Sequence, residues 1–305
     1  MIGHQLALLK REFWEHRSIW LTPAVIGVVI CLLTVTGQVS VSAFGEAVDL
    51  AILGASNIDP VQRRIVLMAL FGVVTTIFAI GAGIVVIFYS LDTLYAERKD
   101  KSILFWRSMP VTDAETVISK LLIALLVIPL AFVVGAMITE IVVMILMSIW
   151  IAMQGGNAGH LVWGSAPLVD IWLASLFMAI AIPIWLSPFI GWFLFVSAYT
   201  KRSPMLMAFL PLLVVPMLEK LILKSNLLYD AIITRTSQPP IADAEGWEVF
   251  ENYENMQITE ESVSLLASLD MIGFATSPSV WAGIVVCGLF TTAAIYVRRY
   301  RDESY

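Results

Sequence analysis

The sequence predicts an all-α integral membrane protein: six transmembrane helices, an N-terminal amphipathic surface helix, and an extracytoplasmic insert between helices 5 and 6. Three observations lead there. Of 305 residues, 59 % are hydrophobic and only 14 % charged, whereas a soluble domain carries about a quarter charged residues. Apolar blocks recur that are long enough to cross a hydrocarbon core ~30 Å thick, for which ~20 helical residues suffice. The charges that remain fall between those blocks, so the net charge of −6 says less than their placement.

Residues 1–18 carry Ile2, Leu6, Leu9 and Phe13 on one stripe, with Lys10, Arg11, Glu12, Glu15 and Arg17 around the rest of the turn. This predicts an amphipathic helix lying in the membrane surface. The first span follows at about residues 19–38. A cleaved signal peptide is the rival reading, since Val41-Ser42-Ala43 loosely resembles a cleavage site; the long leader of mixed charge favours a retained span. The second span, about residues 66–90, contains Gly81-Ala82-Gly83, which predicts close helix contact. Residues 117–154 are apolar for longer than one perpendicular crossing needs at ~1.5 Å per residue, with Pro129 the cheapest place to bend. The fourth span, about residues 170–199, should kink at Pro183 and Pro188. The fifth, about residues 205–218, reads as short and broken because it holds Pro211 and Pro216. An acidic insert covers residues 219–277, and the sixth span, about residues 278–297, ends in the stop-transfer cluster Arg298, Arg299 and Arg301.

With both termini in the cytoplasm, thirteen of the 18 lysines and arginines lie inside, among them Lys10, Arg98, Lys120, Arg202 and Arg298. Outside are Arg63, Arg64, Lys220, Lys224 and Arg235, as the positive-inside rule requires.

A search for reactive constellations returns no HExxH, no GxSxG and no GxxxxGK[ST] phosphate loop. His4, His16 and His160 are scattered, and Cys31 and Cys287 lie inside apolar blocks and are expected to be buried thiols. The chain is therefore expected to have no catalytic residues, no metal site and no cofactor of its own, and to bind no nucleic acid. Charges inside apolar blocks are costly and mark candidate sites. Glu140 either faces a polar cavity or sits at the interface near the outer mouth of its span, and Trp185 and Trp192 either line a pathway or pack; Glu219 with Lys220 is expected to cap the outer end of the fifth span.

Residues 91–120 form a charged island between two apolar blocks, LDTLYAERKDKSILFWRSMPVTDAETVISK. Acids and bases interleave with Leu94, Tyr95, Ile103, Leu104, Phe105 and Trp106, which predicts a short amphipathic helix that a partner grips. Met109-Pro110 then breaks it, and Asp113 and Glu115 place acids at the start of the next helix, where the helix dipole favours them.

The N-terminal LLKREFWEHRS, the six spans and this loop resemble the permease subunits of bacterial ABC type-2 exporters. The loop motif corresponds here to Glu97-Arg98, Met109-Pro110, Thr112 and the span-entering Lys120. The resemblance implies a bacterial inner-membrane permease pairing with a separate ATPase that binds ATP and Mg, as two permease copies with two ATPase copies. Residues 1–18 would be a connecting helix and residues 91–116 a coupling segment, with Glu97, Arg98, Lys99, Asp100 and Arg107 contacting the ATPase. Two other classes stand beside it: an ion-coupled secondary transporter, and a membrane-embedded sensor or assembly factor whose acidic insert binds a partner.

Overall fold

Inside a bilayer no water is at hand for backbone N–H and C=O groups, so a spanning segment must satisfy them within itself. The chain meets this demand with helices. The structure, a computed structural model, describes residues 2–36, 41–43, 46–48, 60–101, 111–153, 155–241 and 264–300. Side chains are described within these from residue 8 to 36 and from residue 63 onwards.

Helix α1 (Ile2–Glu15) precedes α2 (Ser18–Val35). A three-residue antiparallel pair follows, β1 (Val41–Ala43) with β2 (Glu46–Val48), in the register Val41 to Val48. Helix α3 (Pro60–Lys99) has 40 residues. Next come α4 (Asp113–Leu122), a π-helical turn (Ile123–Val127) and α5 (Ile128–Met153). Helices α6 (Leu168–Trp185) and α7 (Ser187–Tyr199) adjoin, and α8 (Pro204–Ile222), α9 (Leu227–Ser237), α10 (Met271–Thr276) and α11 (Pro278–Tyr300) complete the described chain. Six of these stretches are long and apolar enough to cross a membrane. The protein is an all-α, multi-pass membrane protein.

Helix α3 is ~60 Å long at ~1.5 Å per residue, about twice the hydrocarbon thickness, and α4 through α5 is as long. Both therefore project beyond the bilayer. The charged island follows from this: residues 91–99 are not a separate short helix but the last turns of α3. Residues 102–110, including Met109-Pro110, lie outside the described residues. Helix α4 begins where the sequence predicts it. Thr112 accepts from the Glu115 N–H at 3.2 Å, and the Glu115 carboxylate accepts from the Thr112 N–H at 2.9 Å, a reciprocal capping box.

Prolines act differently in different spans. Pro129 has no N–H for the Leu125 carbonyl, and the wide turn just before it absorbs the change of register, Ile128 donating to the Ile123 carbonyl. Pro183 and Pro188 end one helix and start the next at Leu186, the expected kink. The fifth span departs from expectation: α8 is continuous over 19 residues through Pro211 and Pro216. Pro204 occupies its first turn, where no N–H is needed, and the Trp192 indole donates to the Ala208 carbonyl beside Pro211 at 3.0 Å.

The core forms where α2, α3 and α5 meet around Phe78 and Phe132, while α7 packs on α3 and α11. Close approach is needed at Gly81, where a Cβ would lie 2.8 Å from Ile26 and 3.0 Å from Phe132. Any side chain there would push α2 and α5 away from α3.

Candidate functional site

The most connected polar cluster lies beside α1, where α3 ends, α4 begins and α11 ends. At its centre is Lys120, 1 % exposed. Its Nζ lies 2.8 Å from Glu12 Oε1 and 3.0 Å from Glu97 Oε1, and donates to Thr93 Oγ1 at 2.7 Å. Arg298 extends the cluster, its Nη1 2.6 Å from Glu97 Oε2 and its Nε 2.9 Å from Asp113 Oδ1. On the other flank the Tyr89 hydroxyl donates to Glu12 Oε2 at 3.0 Å, and His16 Nε2 lies 3.5 Å from the same oxygen. Burial on its own would raise the Glu12 carboxyl; the Lys120 ammonium and the His16 ring outweigh it and hold Glu12 well below the usual carboxylate range.

Taking these charges out of water costs several kcal/mol per ion, offset only where geometry and further hydrogen bonds are good. Here three acids meet two bases, with a tyrosine and a threonine completing the shell. Such a cluster gives little net stability, whereas removing one partner from it is costly because a buried charge is left uncompensated.

The sequence-predicted coupling residues separate accordingly. Glu97 is 6 % exposed and turned inward, on the face of α3 that packs against α4 and α11. Arg98 also turns back on the protein, donating to the Ser197 and Thr200 carbonyls at the α7–α8 turn. Lys99 and Asp100 are exposed. Arg107 lies outside the described residues.

Glu140 is buried among three helices. Its carboxylate accepts from Thr75 Oγ1 at 3.0 Å and from Trp172 Nε1 at 2.7 Å. Counting from residue 117 places it near the outer half or outer mouth of its span. The neighbouring Thr139 sits against Gly27, the middle of the 18-residue α2. Of the aromatic candidates, Trp185 donates to the Arg235 carbonyl at 2.7 Å, and Trp192 bounds a small apolar cavity with Pro188 and Pro211. Glu219 does cap, but the helix that follows rather than its own span: it accepts from the Leu227 and Leu228 N–H groups that start α9.

Sequence reasoning missed Glu12, Asp113, Arg298 and Arg235 as partners. Glu12 falls three residues after Leu9, at the edge of the apolar stripe. Arg298 continues the inward line of Thr291 and Ala294 on α11. A charge in register with an apolar stripe is the signal that Glu12 and Arg298 carried.

Arg235 fills a different gap. At the α6–α7 break Phe189 N–H turns to the Leu186 carbonyl, leaving the Trp185 carbonyl without its usual helical donor. Arg235 Nε supplies one at 2.8 Å, its Nη1 reaches the Ser279 carbonyl at 2.7 Å, and its guanidinium lies 3.8 Å over the Trp185 ring.

Among the described residues no group of His, Cys, Asp and Glu is arranged to hold a metal ion. Comparison with protein-family models, curated proteins and solved structures found no match, so the functional reading rests on the geometry above.

Proposed function

We propose that the chain is the transmembrane permease subunit of an ATP-driven exporter in a bacterial cytoplasmic membrane, with both termini in the cytoplasm. A separate ATPase binds ATP and Mg and hydrolyses the nucleotide; two permease copies pair with two ATPase copies. The observation that carries this reading is the ion-paired cluster. A membrane body moved from outside must receive force on several helices at once, and Lys120, Glu97 and Arg298 join α1, α3, α4 and α11 into one unit on the positively charged side. Lys99 and Asp100 extend past that unit and remain exposed, so they, with the segment that follows, supply the surface for a partner.

The test exchanges those charges. Lys99→Glu combined with Asp100→Lys should abolish co-purification of an ATPase encoded beside this chain, and ATP-driven transport, while leaving the melting temperature of the purified permease unchanged. Retained association and transport in that variant would remove the docking role.

Glu140 supports a second reading, an ion-coupled secondary transporter, because a carboxylate buried among three spans is a costly feature. Transport driven by a proton gradient in vesicles without nucleotide would select it.

A further inference from the structure

The corner between α1 and α2, the later turns of α3 and the start of α8 border an open cavity of about 490 Å³. Its depth is set by helix ends. Ser18 opens α2 and Pro204 opens α8, so the cavity lies where two apolar spans begin, the level of lipid headgroups. One stripe of α3 walls it, Ile84, Phe88, Asp92 and Tyr95, at spacings that bring all four to one face. Ile84 is 51 % and Phe88 54 % exposed, towards the lipid. At the polar end stands Asp92, which has no hydrogen bond or ion pair with any described residue. Opposite, His16 lies edge-on to the Tyr89 ring with centroids 4.8 Å apart, and the Tyr95 hydroxyl is engaged by the Arg202 carbonyl at 2.9 Å.

The cavity is thus graded, apolar towards the bilayer and acidic towards water, with aromatic rings between. A carboxylate and aromatic faces attract an ammonium group and repel a phosphate or sulfate. We propose that this cavity binds the ammonium head of an amphiphile from the adjoining leaflet, with the tail lying along Ile84 and Phe88. Two sources share that chemistry, the head of an aminophospholipid and a free long-chain amine. The back wall gives occupancy a route inward, because His16 and Tyr89 both contact Glu12 of the ion-paired cluster. The site goes beyond the exporter reading and does not depend on it.

The experiment measures binding of a fluorescent long-chain quaternary ammonium probe to the full chain purified in nonionic detergent. Asp92→Asn should weaken binding about tenfold, and Asp92→Glu, which keeps the carboxylate, should restore most of it, separating loss of charge from misfolding. Phe88→Ala should also weaken binding, whereas Asp230→Asn, at an exposed acid on α9, should not. A sulfate-headed probe of equal chain length should bind weakly and be indifferent to Asp92→Asn. Displacement of the ammonium probe by short-chain phosphatidylethanolamine but not phosphatidylglycerol assigns the site to a lipid head; displacement by neither assigns it to a free amphiphile. Equal binding to wild type and Asp92→Asn, equal binding of the two probes, or displacement by both lipids overturns the proposal. No ATPase takes part, so failure here leaves the exporter reading intact, and loss of that reading leaves this site intact.

Discussion

The two halves of the bundle are held by different chemistry. On the α1 side, ion pairs join residues far apart in sequence: Glu12 and Lys120 are separated by 108 positions, Arg298 and Asp113 by 185. In the other half, individual side chains satisfy backbone groups. Glu219 caps α9, Asp170 takes the Leu265 N–H at 2.8 Å, and Arg235 plugs the α6–α7 break. The first arrangement is a coupled unit, because every charge is a neighbour's counter-charge and losing one strands the rest. The second is a set of separate fastenings. The first therefore ties four helices through one shared set of charges, whereas the second ties them one contact at a time.

The largest effect should come from the hub of the coupled unit. Lys120→Met leaves Glu12 and Glu97 buried with a weakened counter-charge, a loss of ~3–5 kcal/mol by analogy with other broken buried pairs. Thermal unfolding in detergent reads the loss, and hydrogen exchange should show α1 and the end of α3 loosening together. Loosening of α1 alone would mean the cluster is not a unit.

Acid should reach the same cluster. In the unfolded chain Glu12 titrates near the ordinary carboxylate value of about 4.3, while Lys120 and His16 hold it lower in the folded protein. Its contribution is therefore fully present above the ordinary value and lost as pH falls through the lower, folded one. Hydrogen exchange across residues 8–15, corrected for intrinsic rate, should stay constant from about pH 8 to pH 5 and rise only in stronger acid. A rise between pH 7 and pH 5 would show that Glu12 is not paired as described.

How much of this could be read in advance depended on the range of the interaction. The six spans were legible because crossing a bilayer imposes a length on each apolar block independently of the others. The break at Leu186 and the start of α4 at Asp113 were legible for the same local reason, two prolines in one case and acids in the first turn in the other. Pro211 and Pro216 misled because each removes one hydrogen bond and not the helix, which spanning segments tolerate. The cluster was only half legible. Glu97 and Lys120 stood out in the charged island, but an acid on α1 and an arginine on α11 look like ordinary interface residues until the fold brings them together. The partners of Glu140, Thr75 and Trp172, were hidden similarly, since counting along one helix cannot show which neighbours it lies beside.

In the other half, Gly283→Ala should cost ~1–3 kcal/mol through overpacking, because a Cβ on Gly283 would occupy the space of the Arg235 guanidinium. Arg235→Ala in the same chain should recover part of that loss, since it removes the clash while forfeiting the bond to the Trp185 carbonyl. Additive losses in a double-mutant cycle would show that the two residues do not share this space.

The smallest expected effect tests the independence of the two halves. Asp170 accepts from the Ser264 hydroxyl at 2.5 Å and from the Leu265 N–H at 2.8 Å, holding the segment before α10 against the start of α6. Asp170→Asn keeps the shape and removes the charge, at a cost of ~1 kcal/mol. Exchange protection should fall at residues 264–266 and stay unchanged across α1 and the end of α3. A single fastening at the surface of a bundle has no route to the ion-paired cluster except through helices that remain packed. If Asp170→Asn did loosen α1, the halves would be mechanically continuous, and the cluster would be one part of a clamp that runs the full length of the bundle.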